Sequence, residues 1–186
     1  MPTWLKVLLI VFVFPTLVGG VVLLVAGRPL AFELVERRTA KRFPEVRWIA
    51  QDQVTQWRSD SAQPLLLDAR TEIEYDVSRL KGAVRIDPYR PSLRPLRGLP
   101  KDAPVVVYSS AGYRGARVAS WLGRLGYTNV RNLQGGIFAW VNQDRPVFRN
   151  DAPVPQVHPY NRLWGYLVKG EHRAQAPDLE KRSAAP

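Results

Sequence analysis

An apolar, β-branched run of Val105, Val106, Val107 and Tyr108 leads directly into Ser109, Ser110, Ala111, Gly112, Tyr113 and Arg114. The run reads as a buried parallel strand. Beyond it, apolar residues at 118, 121, 122 and 125 fall at helical spacing, with Gly126 as a natural stop. The six residues between are therefore a strand-to-helix turn. In an open parallel sheet such turns lie at the carboxyl ends of the strands, where ligands collect. Their N–H groups can converge into a nest, the helix dipole adds partial positive charge, and Arg114 offers a fork of donors. Gly112 and Gly115 admit the tight backbone. The chemistry this predicts is the cradling of an oxyanion. Ser109 stands where a nucleophile would, but a serine hydroxyl needs a base to activate it.

The elements needed to position that turn follow from the pattern around it. Residues 46–49 alternate like a short strand, residues 52–57 read as a helix, and residues 65–67, 83–87 and 130–133 read as further strands. Strands alternating with helices predict an α/β fold with a mostly parallel sheet and right-handed crossovers. A proline-punctuated stretch carries Arg90, Arg94 and Arg97, the densest local basic cluster, and reads as a solvated loop, with an anion surface as the alternative. After Arg149 the chain turns proline-rich. Tyr160, Leu163, Trp164 and Leu167 then recur at i, i+3, i+4 and i+7, which predicts a small amphipathic helix over residues 159–169. Its apolar face would pack on the domain, or meet a partner or lipid. Residues 174–186 read as a disordered tail.

Composition narrows the function classes. The 186 residues carry a formal charge of +11 and no cysteine. Without cysteine there are no disulfides, no thiolate metal sites and no thiol-based mechanism. No metal or cofactor motif is present. Residues 47–149 hold sixteen basic against nine acidic side chains, about two-thirds of the excess. A basic surface favours anionic partners, yet the charge is diffuse and no nucleic-acid motif accompanies it, so nucleic acid is set aside.

Residues 7–27 contain no charged residue, which is long enough to span a bilayer. Trp4 and Lys6 sit where an interfacial anchor belongs. The run exceeds the apolar part of a cleaved signal peptide, although Val25, Ala26 and Gly27 resemble a weak cleavage site. A single-pass anchor over residues 1–27 is the expectation. Arg28, Arg37, Arg38, Lys41 and Arg42 outweigh Lys6 across the span and place the rest of the chain in the cytoplasm. Residues 28–46 are expected to be a basic linker, with a short helix over 31–42 that stops before Pro44.

Several ordered motifs resemble one family. LLLDARTEIEY, with Asp68 and Arg70, is similar to the strand-and-acid segment of rhodanese-like domains. SRLKGAVRI resembles that family's Gly-His-Ile-Pro-Gly-Ala segment, keeping Gly82 and Ala83 but with Arg79 at the histidine and Lys81 at the proline. YSSAGYRGARVASWLGRLGY resembles its active-site loop and helix, and LQGGIFAW its closing Gly-Gly-x-x-Ala-Trp segment. The resemblance covers about residues 47–148, places the domain at residues 47–149, and implies a three-layer domain with a five-stranded, mostly parallel sheet. It also implies an activity. Active members carry a cysteine as the first loop residue, take up a sulfane sulfur as a persulfide, and pass it on. Ser109 stands at that position here and cannot form the persulfide. His158 and His172, the two histidines, both lie outside the matched region. The expectation is a catalytically inactive sulfurtransferase homologue that acts as an anion-binding or protein-interaction module, with residues 150–186 as a C-terminal extension. Asp68 and Arg70 read as a structural pair that pins adjoining turns. Two alternatives remain open: a docking platform for sulfur transfer that uses a partner's cysteine, and a serine-based transferase or hydrolase at Ser109.

Overall fold

A computed structural model of the chain describes residues 2, 14–59 and 63–175. It begins with helix α1 (Phe14–Arg42) and continues through β1 (Arg47–Ile49), α2 (Gln51–Ser59), β2 (Leu65–Asp68), α3 (Glu72–Val77), β3 (Val84–Arg85), β4 (Val105–Tyr108), α4 (Tyr113–Arg124), β5 (Val130–Leu133) and α5 (Gly136–Asn142). A hairpin of β6 (Val147–Arg149) and β7 (Ala152–Val154) follows, then short 3₁₀ turns at Trp164–Leu167 and Gly170–His172. Five strands form one sheet in the order β1-β5-β4-β2-β3, and every neighbouring pair is parallel.

The two-residue period of the strands divides the core between the two faces of this sheet. Leu66, Val106, Tyr108 and Leu133 pack into one cluster with Ile137, Phe138 and Trp140 of α5. Leu67, Val105, Val107 and Val130 pack into the other with Ala116, Val118, Ala119 and Leu122 of α4. The α/β architecture with a parallel sheet is therefore as the strand–helix pattern predicts, and its five strands are as the family resemblance implies.

The flanking segments differ from their sequence-based expectations. Residues 31–42 do not make a separate short helix, because α1 runs unbroken from Phe14. Pro29 lies inside it and removes one donor without ending it. Nor is the segment a plain linker: Ala31, Phe32 and Val35 pack against the α5-side core, and Thr39 is buried. The apolar run at 7–27 straddles the start of α1, and residues 7–13 lie outside the described residues. Among the described residues no helix is long and apolar enough to cross a membrane.

Residues 159–169 form no amphipathic α-helix. Asn161 caps the Trp164 N–H with its side-chain oxygen, and Gly165 N–H returns to the Asn161 carbonyl, which closes a compact turn instead. The apolar periodicity is only half used: Leu167 is buried and Trp164 is half-buried against the core, while Leu163 stays 81% exposed. Val157, Leu167 and Val168 belong to the same core cluster as α5, so the extension completes the domain rather than trailing from it. Ala174 is also buried, beside a bridge between Val157 and Arg173, so the order extends past the predicted start of the tail. Residues 176–186 lie outside the described residues.

Candidate active-site loop

Two carboxylate–guanidinium pairs stand at the carboxyl end of the sheet. The first joins Asp68, the last residue of β2, to Arg70. Arg70 Nε donates to Asp68 Oδ1 at 2.8 Å and Nη2 to Oδ2 at 2.6 Å, with both side chains fully buried. Arg70 Nη2 also donates to the Ser78 carbonyl, and the Tyr108 hydroxyl donates to Asp68 Oδ2 at 2.7 Å while accepting the Leu80 N–H. Burial opposes the Arg70 charge, but the Asp68 carboxylate more than offsets it and holds the guanidinium above its ordinary range. Burial, then the Asp68 charge, pushes the Tyr108 phenol well above its usual value, so it remains a donor. This network ties β2, the turn after α3 and the end of β4 together beneath the loop.

The second pair is Glu74 and Arg114. Glu74 sits in the first turn of α3, and its carboxylate accepts from Thr71 N–H, Thr71 Oγ1, Ser110 Oγ and both Arg114 terminal nitrogens. Burial raises its pKa, but the Arg114 hydrogen bonds and charge prevail and bring it down to about 2. Thr71 and Glu74 form a capping box, a pattern visible in the sequence as Thr-x-x-Glu, and that signal could have marked Glu74 as the acid facing the loop. The arrangement changes the part played by Arg114. Its fork grips Glu74 and Ser110 rather than standing free for an oxyanion.

The loop is held on its other side by α5. Ile137 and Phe138 N–H donate to the Ser109 and Ser110 carbonyls. Gly136, at φ 58°, lets the two segments meet, because a Cβ there would collide with both carbonyl groups. Gly112, at φ 105°, turns the chain into α4, and its carbonyl accepts from Asn132 Nδ2. Ser109 is 1% exposed, and its Oγ accepts the Gly112 N–H at 3.2 Å. No base bonds to Ser109 Oγ among the described residues. The N–H groups of Ser110, Ala111, Tyr113 and Arg114 donate to no protein acceptor among the described residues.

A cavity of about 480 Å³ opens over the loop. Ser109, Ser110, Ala111 and Arg114 lie at its base, α1 supplies Val35 and Arg38, and the C-terminal extension supplies Tyr160 and Trp164. Sequence reasoning placed the cradle on the loop alone and missed these walls, since nothing local links residues 35, 109 and 160. It also set both histidines outside the domain. His158 in fact comes close enough to feel Glu74, Arg70 and Arg114. Burial, the largest influence, holds its pKa below the ordinary value, and its Nδ1 accepts the Tyr160 N–H at 2.9 Å. His172 stays apart from the loop, paired with Asp144.

Comparison with known proteins agrees with this geometry. A sulfurtransferase from Allochromatium vinosum is 31% identical over 102 residues, covering 55% of this chain and 94% of that protein. A tRNA uridine(34) hydroxylase from Streptococcus thermophilus is 36% identical over 86 residues, but this chain spans only 25% of that enzyme's length. Two solved structures share the fold. One is a protein from Bacillus halodurans, with TM-score 0.51 and 16% identity, covering 66% of this chain and 89% of that one. The other is the polysulfide-sulfur transferase homodimer from Wolinella succinogenes, with TM-score 0.50 and 18% identity, covering 63% of this chain and 89% of that one. The rhodanese-like domain model matches residues 50–143, and the chain belongs to the rhodanese-like family.

Proposed function

We propose that this chain is a membrane-anchored rhodanese-like domain that transfers no sulfur and serves as an anion-binding or protein-interaction module at its loop. The observation that carries this reading is Ser109. It occupies the first position of the loop, where active members of the family place their cysteine, and the chain contains no cysteine at all. A hydroxyl is a poor nucleophile at neutral pH without a base, and it forms no persulfide. The loop N–H groups that meet no protein acceptor among the described residues support retention of the cradle for binding. The uncharged run at residues 7–27 supports the anchor, and the basic residues after it support a cytoplasmic domain.

A serine-based transferase or hydrolase finds less support. His158, which lies near Glu74 and Arg114, could act as a base, but its Nδ1 is engaged by Tyr160 N–H rather than by Ser109. Incubation of the natural chain with thiosulfate and cyanide tests the reading. The expected result is thiocyanate formation no faster than in buffer, and catalytic turnover would overturn it.

A further inference from the structure

We propose that the cavity over the loop is a binding site for a small organic oxyanion with an aromatic body. This deepens the binding role assigned to the loop and rests on it. Three observations point to this ligand class. The first is size. At about 480 Å³ the cavity falls in the range of small-molecule pockets, and an inorganic oxyanion would fill only a small part of it.

The second is the distribution of charge. Arg114, within the cavity, is neutralised by Glu74. Arg38 and Arg117 also line it, and neither forms an ion pair among the described residues. Arg117 is anchored by donating to the Pro88 carbonyl. The positive charge without an acidic partner is therefore carried by Arg38 of α1 and Arg117 of α4 rather than by the loop's own Arg114. A ligand whose charged end meets Arg38 and Arg117 needs a body to reach the rest of the cavity.

The third is the wall that would receive this body. Tyr89, Tyr113, Tyr160 and Trp164 all line the cavity. Two of these rings are placed by guanidinium groups: Arg117 lies 5.2 Å from the Tyr89 ring and Arg114 lies 4.8 Å from the Tyr160 ring. Tyr160 also has a left-handed backbone, φ 66°, which is costly for a tyrosine. That conformation is fixed by His158 Nδ1, which accepts the Tyr160 N–H, and by the Asn161 turn that follows. A strained lining residue held by a dedicated hydrogen bond is a positioned wall. The Ser109 hydroxyl, 1% exposed at the floor, donates its proton to no acceptor among the described residues and can meet a polar substituent.

Isothermal titration calorimetry of the full chain with phenyl phosphate, inorganic phosphate and benzyl alcohol tests this site. Phenyl phosphate is expected to bind at least about tenfold tighter than inorganic phosphate, and benzyl alcohol more weakly than either. Tyr160→Gly suits the left-handed backbone and removes the whole side chain, so it is expected to fold and to lose the preference for the phenyl group. Arg38→Gln, on an exposed position of α1, is expected to weaken both phosphates severalfold. Equal affinity for phenyl phosphate and phosphate overturns the proposal, as does a preference that survives Tyr160→Gly. Thiosulfate turnover by the natural chain would overturn the reading of the domain as inactive without touching these binding results, so the two failures are distinguishable.

Discussion

The two ion pairs at the end of the sheet use the same chemistry in different surroundings. Asp68–Arg70 is sealed, with 0% exposure on both side chains, and its hydrogen bonds run only to β2, β4 and the turn after α3. Glu74–Arg114 lies at the edge of a cavity, with Arg114 11% exposed and one face beneath the Tyr160 ring. Both guanidinium groups are held by a carboxylate, so neither is a free anion receptor. The difference is that Arg114 borders the cavity, whereas Arg70 is enclosed by the core. The sealed pair maintains the frame, and the open pair determines how positive the loop is.

Breaking the sealed pair gives the largest expected effect. Asp68→Ala leaves Arg70 charged, buried and without its carboxylate, and also strips the Tyr108 hydroxyl of its acceptor. The expected cost is about 3–5 kcal/mol in urea unfolding, and a cost near that of a surface substitution would contradict the contrast. Glu74→Gln acts at the open pair. Arg114 can turn toward the cavity and solvent, so the cost is expected to be smaller, about 1–3 kcal/mol. The freed fork should at the same time tighten inorganic phosphate severalfold, a gain that Asp68→Ala cannot produce.

Acid sharpens the same comparison. The folded-state pKa of Glu74 is depressed to about 2, so its contribution to stability is complete above its ordinary value of 4.5 and is lost as pH falls toward 2. Stability measured across that window should fall in the natural chain and fall less steeply in Glu74→Gln. The smallest effect is expected at His158. Burial lowers its pKa from 6.5, so the folded state resists protonation, and the resulting penalty begins as pH drops below 6.5. Protonation at Nδ1 removes the acceptor of the Tyr160 N–H. The NMR signals of Tyr160 should therefore shift over that range while those of Tyr108 do not.

Legibility from sequence followed the range of the interactions. The β4 run and the periodic α4 are local patterns, and both lie where the residues predict. The Ser109 turn was readable for the same reason, since a strand, a glycine-bearing loop and a helix adjoin in the chain. α5 lacks such a signal in its own periodicity. It opens on Gly135 and Gly136, both left-handed, and owes its place to the loop carbonyls it binds. The docking of α1 and the extension was not readable, because Phe32 against Gly135 and Tyr160 over Arg114 join residues about a hundred or about fifty positions apart. Tyr160, Leu163, Trp164 and Leu167 announced an apolar surface, but its helical spacing misled. The turn capped by Asn161 uses Trp164 and Leu167 and leaves Leu163 outside.

The central claim is that the fold retains its cradle and that Ser109 alone withholds sulfur chemistry. Intact-mass measurement after exposure to thiosulfate tests it most directly, with the natural chain beside Ser109→Cys. The loop N–H groups and the start of α4 should lower the pKa of the introduced thiol. The account predicts that the variant gains the mass of one sulfur atom and that the natural chain gains nothing. Sulfur on the natural chain would contradict the account by revealing a reactive group elsewhere. A well-folded Ser109→Cys variant that stays unmodified would contradict it by showing that the cradle no longer serves that chemistry.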